Sequence, residues 1–159
     1  MNIHIVCVGK IKESFYRDAE NEYSKRLSRY CKLKITEVAD ENTPQNASEV
    51  LEEQIREKEA ERILTSISDH TYVCILAIEG KEYDSVSFAK EIDLLATNGN
   101  SDITFVIGGS LGLSQSVYRR ADKKISFSKM TFPHQLMRVI LLEQIYRAFK
   151  IEEGSDYHK

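Results

Sequence analysis

Chemistry in this chain concentrates between residues 103 and 138. A short apolar run, residues 103–107, ends in Gly108-Gly109-Ser110-Leu111-Gly112, and a second run at 125–127 ends in Ser128, Lys129 and Thr131. In an open parallel sheet the ligand crevice lies beyond the carboxyl ends of the strands, so two such loops placed side by side would form its floor. The segment Phe127, Ser128, Lys129, Met130, Thr131, Phe132 mixes small hydroxyls with apolar residues just before a helix. Main-chain N–H groups left unpaired there can read the edge of an adenine. Pro133 and His134 open that helix, and Arg138 lies one turn after His134, on the same face. Each feature also has a plain structural reading. A double glycine is usually a tight turn, Ser128 or Thr131 can cap a helix, the Phe rings can fill a core, and a lone histidine seldom catalyses.

Several chemistries are disfavoured. The glycine loop lacks the lysine of a GxxxxGK[ST] phosphate loop and is not a clean GxGxxG fingerprint; residues 125–129 read ISFSK, without the acidic residue a dinucleotide site requires. Histidine, cysteine and acidic residues nowhere take metal-ligand spacing, and no Gly-x-Ser-x-Gly elbow occurs.

The surrounding elements alternate. Residues 3–8 form an almost continuous apolar run ending at Gly9, as expected of a strand covered on both faces, with Lys10 and Lys12 after it. Residues 13–30 carry apolar positions every three or four residues and predict an amphipathic helix. Residues 33–38 alternate like an edge strand, with Leu33, Ile35 and Glu37 on one side. A second helix starts at Ser48, a strand spans 72–78, Ser85 is the expected cap of a third helix ended by Asn98-Gly99, and Ser114 opens a short fourth. Such alternation predicts one α/β domain, a mostly parallel sheet flanked by helices. The last helix, about 135–149, is apolar around most of its circumference, which calls for burial on two sides. A homodimer through this helix is the expected reason, and an unusually central helix is the alternative. The polar end, residues 150–159, reads as a tail.

The 159 residues have the size of one domain and a net charge of −3, unevenly distributed. Residues 37–61 hold nine acidic residues against Arg56 and Lys58, whereas 114–150 hold eight Lys or Arg against Asp122 and Glu143. Either the basic segment is a solvated helix face, or it is a surface that holds RNA phosphates beside the two loops. The first ten residues lack the basic and apolar regions of a signal peptide, no apolar stretch reaches membrane-spanning length, and Cys7, Cys31 and Cys74 form no CxxC pair. A cytoplasmic protein with reduced thiols is expected.

The segments VIGGSLGL and SFSKMTFPHQLMRVILLEQIYRAFKI, with the terminal YHK, closely resemble the ribosomal RNA large subunit methyltransferase H family of the SPOUT class. The resemblance runs the whole length, from IHIVCVGKIKE onward. It implies an α/β fold with a C-terminal trefoil knot, a homodimer, S-adenosyl-L-methionine as methyl donor, and N3 of a pseudouridine in 23S ribosomal RNA as acceptor. By the same resemblance, cofactor contacts fall on Leu76, Gly108 and the Phe127–Phe132 segment named above, while Pro133, His134, Arg138, Tyr157 and His158 surround the reacting base. In that picture the tail contributes to the active site. His158 is the expected general base with Tyr157 orienting the base and Arg138 stabilising negative charge, and His134 is the competing base. Arg119, Arg120, Lys123 and Lys124 are the expected phosphate contacts. A non-catalytic, ribosome-associated RNA-binding module is the alternative function.

Overall fold

The computed structural model describes residues 1–159. Its elements run β1 (Asn2–Val8), α1 (Ser14–Leu27), β2 (Lys32–Val38), α2 (Glu49–Ser66), β3 (Tyr72–Glu82), α3 (Ser85–Thr97), β4 (Asp102–Ile107), α4 (Gln115–Arg120), β5 (Lys123–Ser126) and α5 (His134–Glu152), followed by a 3-10 turn at Asp156–His158. The strands form one sheet in the order β2-β1-β4-β3-β5, with every pairing parallel. As the alternation of β2 predicts, it lies at an edge. The central strands are buried on both faces: Ile3, Ile5 and Cys7 join the core under α1, α3 and α5, while Val6 and Val8 join the core on the opposite face with Ile63 of α2 and Val117 of α4. Each such side chain contributes roughly 1.5–3 kcal/mol, and this burial holds the strand ends in register.

Local signals set the helix ends. Ser48 caps α2, its Oγ accepting the N–H of Leu51. The cap of α3 is Asp84, one residue before the expected Ser85, because its carboxylate accepts the N–H of Ser87. Ser85 instead donates its hydroxyl to Gln144 and ties α3 to α5. Asn98 caps the carboxyl end of α3, and Gly99 turns the chain at φ +90°.

β3 is longer than the apolar run 72–78. Leu76 and Lys81 both face Ile125 of β5, so residues 77–80 loop out between them. Gly80 closes this bulge against the β5 main chain: a Cβ there would lie 2.6 Å from the carbonyl carbon of Ile125 and 2.7 Å from its nitrogen. Only glycine fits this approach.

α5 packs between α1 and α3 over the sheet, burying Arg138, Leu141, Leu142, Ile145 and Ala148 as one stripe. Its flanks Met137, Tyr146 and Phe149 pack at the edge of that core, and Val139 and Ile140 stay half-buried. Neighbours within the same chain thus supply much of the cover that the sequence pattern assigned to a second copy. All three cysteines are free, with Cys7 and Cys74 buried. No helix is long and apolar enough to cross a membrane.

Candidate active site

The carboxyl ends of β3, β4 and β5 enclose a cavity of about 630 Å³, within the range of small-molecule sites. The β3 bulge forms one wall, the glycine loop another, and the segment after β5 with the first turn of α5 the third. Leu76, Gly108, Phe127, Ser128, Met130, Thr131 and Phe132 all line it, as do Pro133 and His134. Lys129 does not; its side chain is exposed to solvent.

Each wall is braced from outside. Tyr118 of α4 donates its hydroxyl to Glu79 at 2.6 Å and pins the bulge. In the glycine loop, Gly112 N–H bonds Gly109 C=O. A Cβ on Gly108 would come within 3.0 Å of Leu113, and one on Gly109 within 3.1 Å of Val8. The third wall keeps its main chain available. Met130 N–H is taken by Ser128 Oγ and Ser128 C=O by Ser126 Oγ, but Phe127, Lys129, Thr131 and Phe132 make no main-chain hydrogen bond to the rest of the backbone. Such unpaired groups along an apolar wall fit a planar heterocycle that needs edge donors and acceptors.

His134 sits half-buried at the mouth. Burial, then the charge of Arg138, depress its imidazole pKa, with Lys12 adding to the effect and Asp40 opposing it. The neutral ring, able to accept a proton, is therefore favoured near pH 7. The ring rests on Gly9, which adopts φ +90°; a Cβ there would lie 3.2 Å from His134 Nε2.

Arg138 lies elsewhere than the sequence suggested. Its position one turn after His134 holds, but its side chain turns into the protein and is 0% exposed. One Nη donates to Glu20 at 2.9 Å and to Glu37 at 2.8 Å, and the other to the Gly9 carbonyl at 3.2 Å. Glu37 also accepts the N–H of Ile11. Arg138 is thus neutralised inside the fold and cannot meet a developing anion in the crevice. It instead anchors the loop on which His134 rests. Arg138 is charged and fully enclosed because two carboxylates from α1 and β2 converge on it, a convergence that no local pattern reveals. The faint signal was Glu37 on the apolar side of an alternating strand.

The tail is ordered and lies against α5. Tyr157 donates its hydroxyl to Glu143, its ring meets Tyr146 edge-on at 5.1 Å, and Arg147 lies 4.7 Å over the ring while donating to its carbonyl. At about 1.5 Å rise per residue, these anchors are roughly 14–20 Å along α5 from His134. Tyr157 and exposed His158 therefore do not enter the crevice of their own chain.

The expected phosphate contacts are likewise dispersed. Arg120 donates to the carbonyls of Ser68 and Thr71, at the amino end of β3 and so at the end of the sheet opposite the crevice. Arg119 is exposed on the same last turn of α4. Lys123 is paired with Glu91 of α3, and Lys124 lies over the Tyr118 ring. Two of the four basic side chains are thus committed to holding the fold.

Comparison with known proteins places this geometry. Residues 1–158 match a family described as "Predicted SPOUT methyltransferase". The chain is 59% identical over its full length, and the full length of the relative, to ribosomal RNA large subunit methyltransferase H of Lactobacillus acidophilus, and 60% identical on the same terms to that of Bifidobacterium adolescentis. Among solved structures it resembles a methylase family protein from Neisseria gonorrhoeae, with a TM-score of 0.53 and 14% identity over 91% of this chain and 81% of that one. It also resembles a Legionella pneumophila structure described as a methyltransferase with bound cofactor SAM, with a TM-score of 0.50 and 12% identity. That match covers 94% of this chain and 66% of the other. The structural likenesses support the fold.

Proposed function

The chain belongs to the SPOUT methyltransferases, within the ribosomal RNA large subunit methyltransferase H family, and from that premise we propose that it transfers a methyl group from S-adenosyl-L-methionine to N3 of a pseudouridine in 23S ribosomal RNA. The observation that carries the reading is the crevice itself: the cofactor residues implied by family resemblance come from separate strand ends, yet all except Lys129 line one cavity. When the donor is bound, its adenine edge would be held by the free main-chain groups of residues 127–132, beside the apolar side chains of Leu76 and Phe127, with the glycine loop lining the remainder of the cavity.

The bound donor supplies an activated sulfonium methyl. The residues of the chain then have to hold the acceptor nitrogen in line with it, keep water out and accept the imide proton, and correct alignment alone accounts for much of the rate. Neutral His134 at the crevice mouth is the proton acceptor that this chain can place by itself. Tyr157 and His158 act only if a second copy brings them to this mouth, so their part in the reaction requires the homodimer. The half-exposed Val139 and Ile140 row of α5 suits that contact. Arg138 serves as a positioning residue.

Calorimetric titration with S-adenosylmethionine, with NADH as control, followed by single-turnover methylation of ribosomes tests this. Saturable binding of the methyl donor alone and transfer of one methyl per ribosome are expected. His134→Ala should slow transfer by roughly 10²-fold or more, and the acidic limb of the wild-type rate profile should lie below the ordinary histidine value near 6.5. Ribosome binding without methyl transfer, at saturating donor, would favour the binding-module alternative. If His158→Ala is the slower variant, the base comes from the partner copy.

A further inference from the structure

We propose that Lys10, Lys12 and Lys129 form the surface that grips the backbone phosphates of the RNA strand entering the crevice; this rests on the methyltransferase reading above. Their placement carries the inference. Lys10 and Lys12 follow β1, whose carboxyl end lies beside that of β4 and its glycine loop. Lys129 projects from the loop after β5, between crevice-lining Ser128 and Met130. In the sheet order, β4 and β3 separate β1 from β5. At about 4.8 Å per strand step, the two sides stand on the order of 14 Å apart, which leaves space for a base between phosphates held on either flank.

All three lysines are exposed, and none of their ammonium groups takes part in an ion pair or hydrogen bond within the chain. This distinguishes them from Arg120 and Lys123, which are occupied at home.

The β1–α1 loop is also fixed before any ligand arrives. Gly9 N–H bonds Val38 C=O, Gly9 C=O accepts from Arg138, Ile11 N–H bonds Glu37, and Lys12 N–H bonds Gln135 Oε1 at 2.9 Å. Ile11 is buried between the two lysines, so their side chains are directed outward. A loop already ordered in this way loses little freedom on binding. Of the exposed charges that act on the His134 ring, Lys12 opposes the carboxylate of Asp40. Point charges on unbranched stems suit phosphates, whose contacts position a strand without reading its sequence. The buried Arg138 network thus acquires a purpose: it stiffens a phosphate grip.

The test compares wild type with Lys10→Gln/Lys12→Gln, Lys129→Gln and Arg119→Gln. Donor affinity would be read by calorimetry, and the ribosome concentration for half-maximal single-turnover methylation would be measured across a salt series. The double variant should need at least about fivefold more ribosome, and its log–log salt slope should fall by about 1.4, at roughly 0.7 per lost single-strand phosphate contact. Lys129→Gln should lose about half that slope, and the donor affinity of the Lys10→Gln/Lys12→Gln protein should not change. Arg119→Gln, at the far end of the sheet, should match wild type. Lysine variants with wild-type half-saturation and slope would overturn the proposal while leaving the functional reading intact. So would a parallel loss of donor affinity, which would mean that the lysines act on the cofactor pocket. A wild-type protein that neither binds nor methylates ribosomes would overturn the functional reading, and the phosphate grip with it.

Discussion

Replacing Arg138 by Met should destabilise the protein by about 4 kcal/mol at pH 7, and the loss should shrink as the solution is acidified. The guanidinium is 0% exposed, and its partners Glu20 and Glu37 retain 7% and 23% side-chain exposure. Removing one member of a buried ion pair costs roughly 3–5 kcal/mol because the remaining charge stays desolvated. The Gly9 carbonyl also loses its donor, a cost of about 1–3 kcal/mol that partly overlaps the first. Against a typical total of about 5–15 kcal/mol, this is a large fraction.

The pH dependence follows from Glu37. Burial by itself raises its pKa, but hydrogen bonds from Arg138 and Ile11 N–H, and the charges of Arg138 and Arg17, outweigh burial and leave it below the ordinary range. A depressed carboxylate stabilises the fold above its unfolded value, near 4.3, and that contribution disappears as pH falls through the lower folded value. In Arg138→Met the burial remains and the strongest compensation is gone, so Glu37 should titrate higher and take up a proton in mild acid. The gap between variant and wild type, measured by urea denaturation followed by circular dichroism, should therefore be smaller at pH 5 than at pH 7. Converting the cluster as a whole, with Glu20→Gln and Glu37→Gln added, should restore much of the loss. A loss below about 1 kcal/mol, or one independent of pH, would refute the account of Arg138 as the enclosed centre of this network.

Two other substitutions test the braces of the site. Gly80→Ala would push a methyl against the β5 main chain at 2.6–2.7 Å, so it should cost about 1–3 kcal/mol and, by displacing the β3 bulge that walls the crevice, weaken donor binding at least about tenfold in calorimetry. Arg120→Glu removes two bonds to the carbonyls of Ser68 and Thr71 and sets a carboxylate beside Asp122; a loss of about 2–3 kcal/mol in denaturation is expected, with donor affinity of the folded protein unchanged. An Arg120→Glu protein of wild-type stability with impaired ribosome binding would return this residue to the RNA surface.

The order of strands and helices, the parallel sheet with its edge strand and the loops around residues 108 and 127–132 were legible in the sequence. These depend on local causes: hydrophobic period, capping side chains and glycine. The matching of the terminal segments to a methyltransferase family was legible for a related reason, since a run of contiguous residues carries it. A trefoil knot has no such local cause and came from resemblance alone. What periodicity could not reveal was direction and partnership. The register jump that throws out residues 77–80 depends on Gly80 meeting a strand more than forty residues away. Whether Arg138 faces the crevice or the interior was decided by Glu20 and Glu37, which reach it from other elements. Likewise, the basic residues at 119–124 are contiguous in the chain, but the α4–β5 turn carries their arginines to the far end of the sheet, while Lys12 and His134, 122 positions apart, become neighbours. The sequence by itself determined which elements form, because those choices are made within a few residues. Tertiary structure alone decided which charges are spent inside and which remain for a ligand, because the energy of a charge depends on everything brought near it.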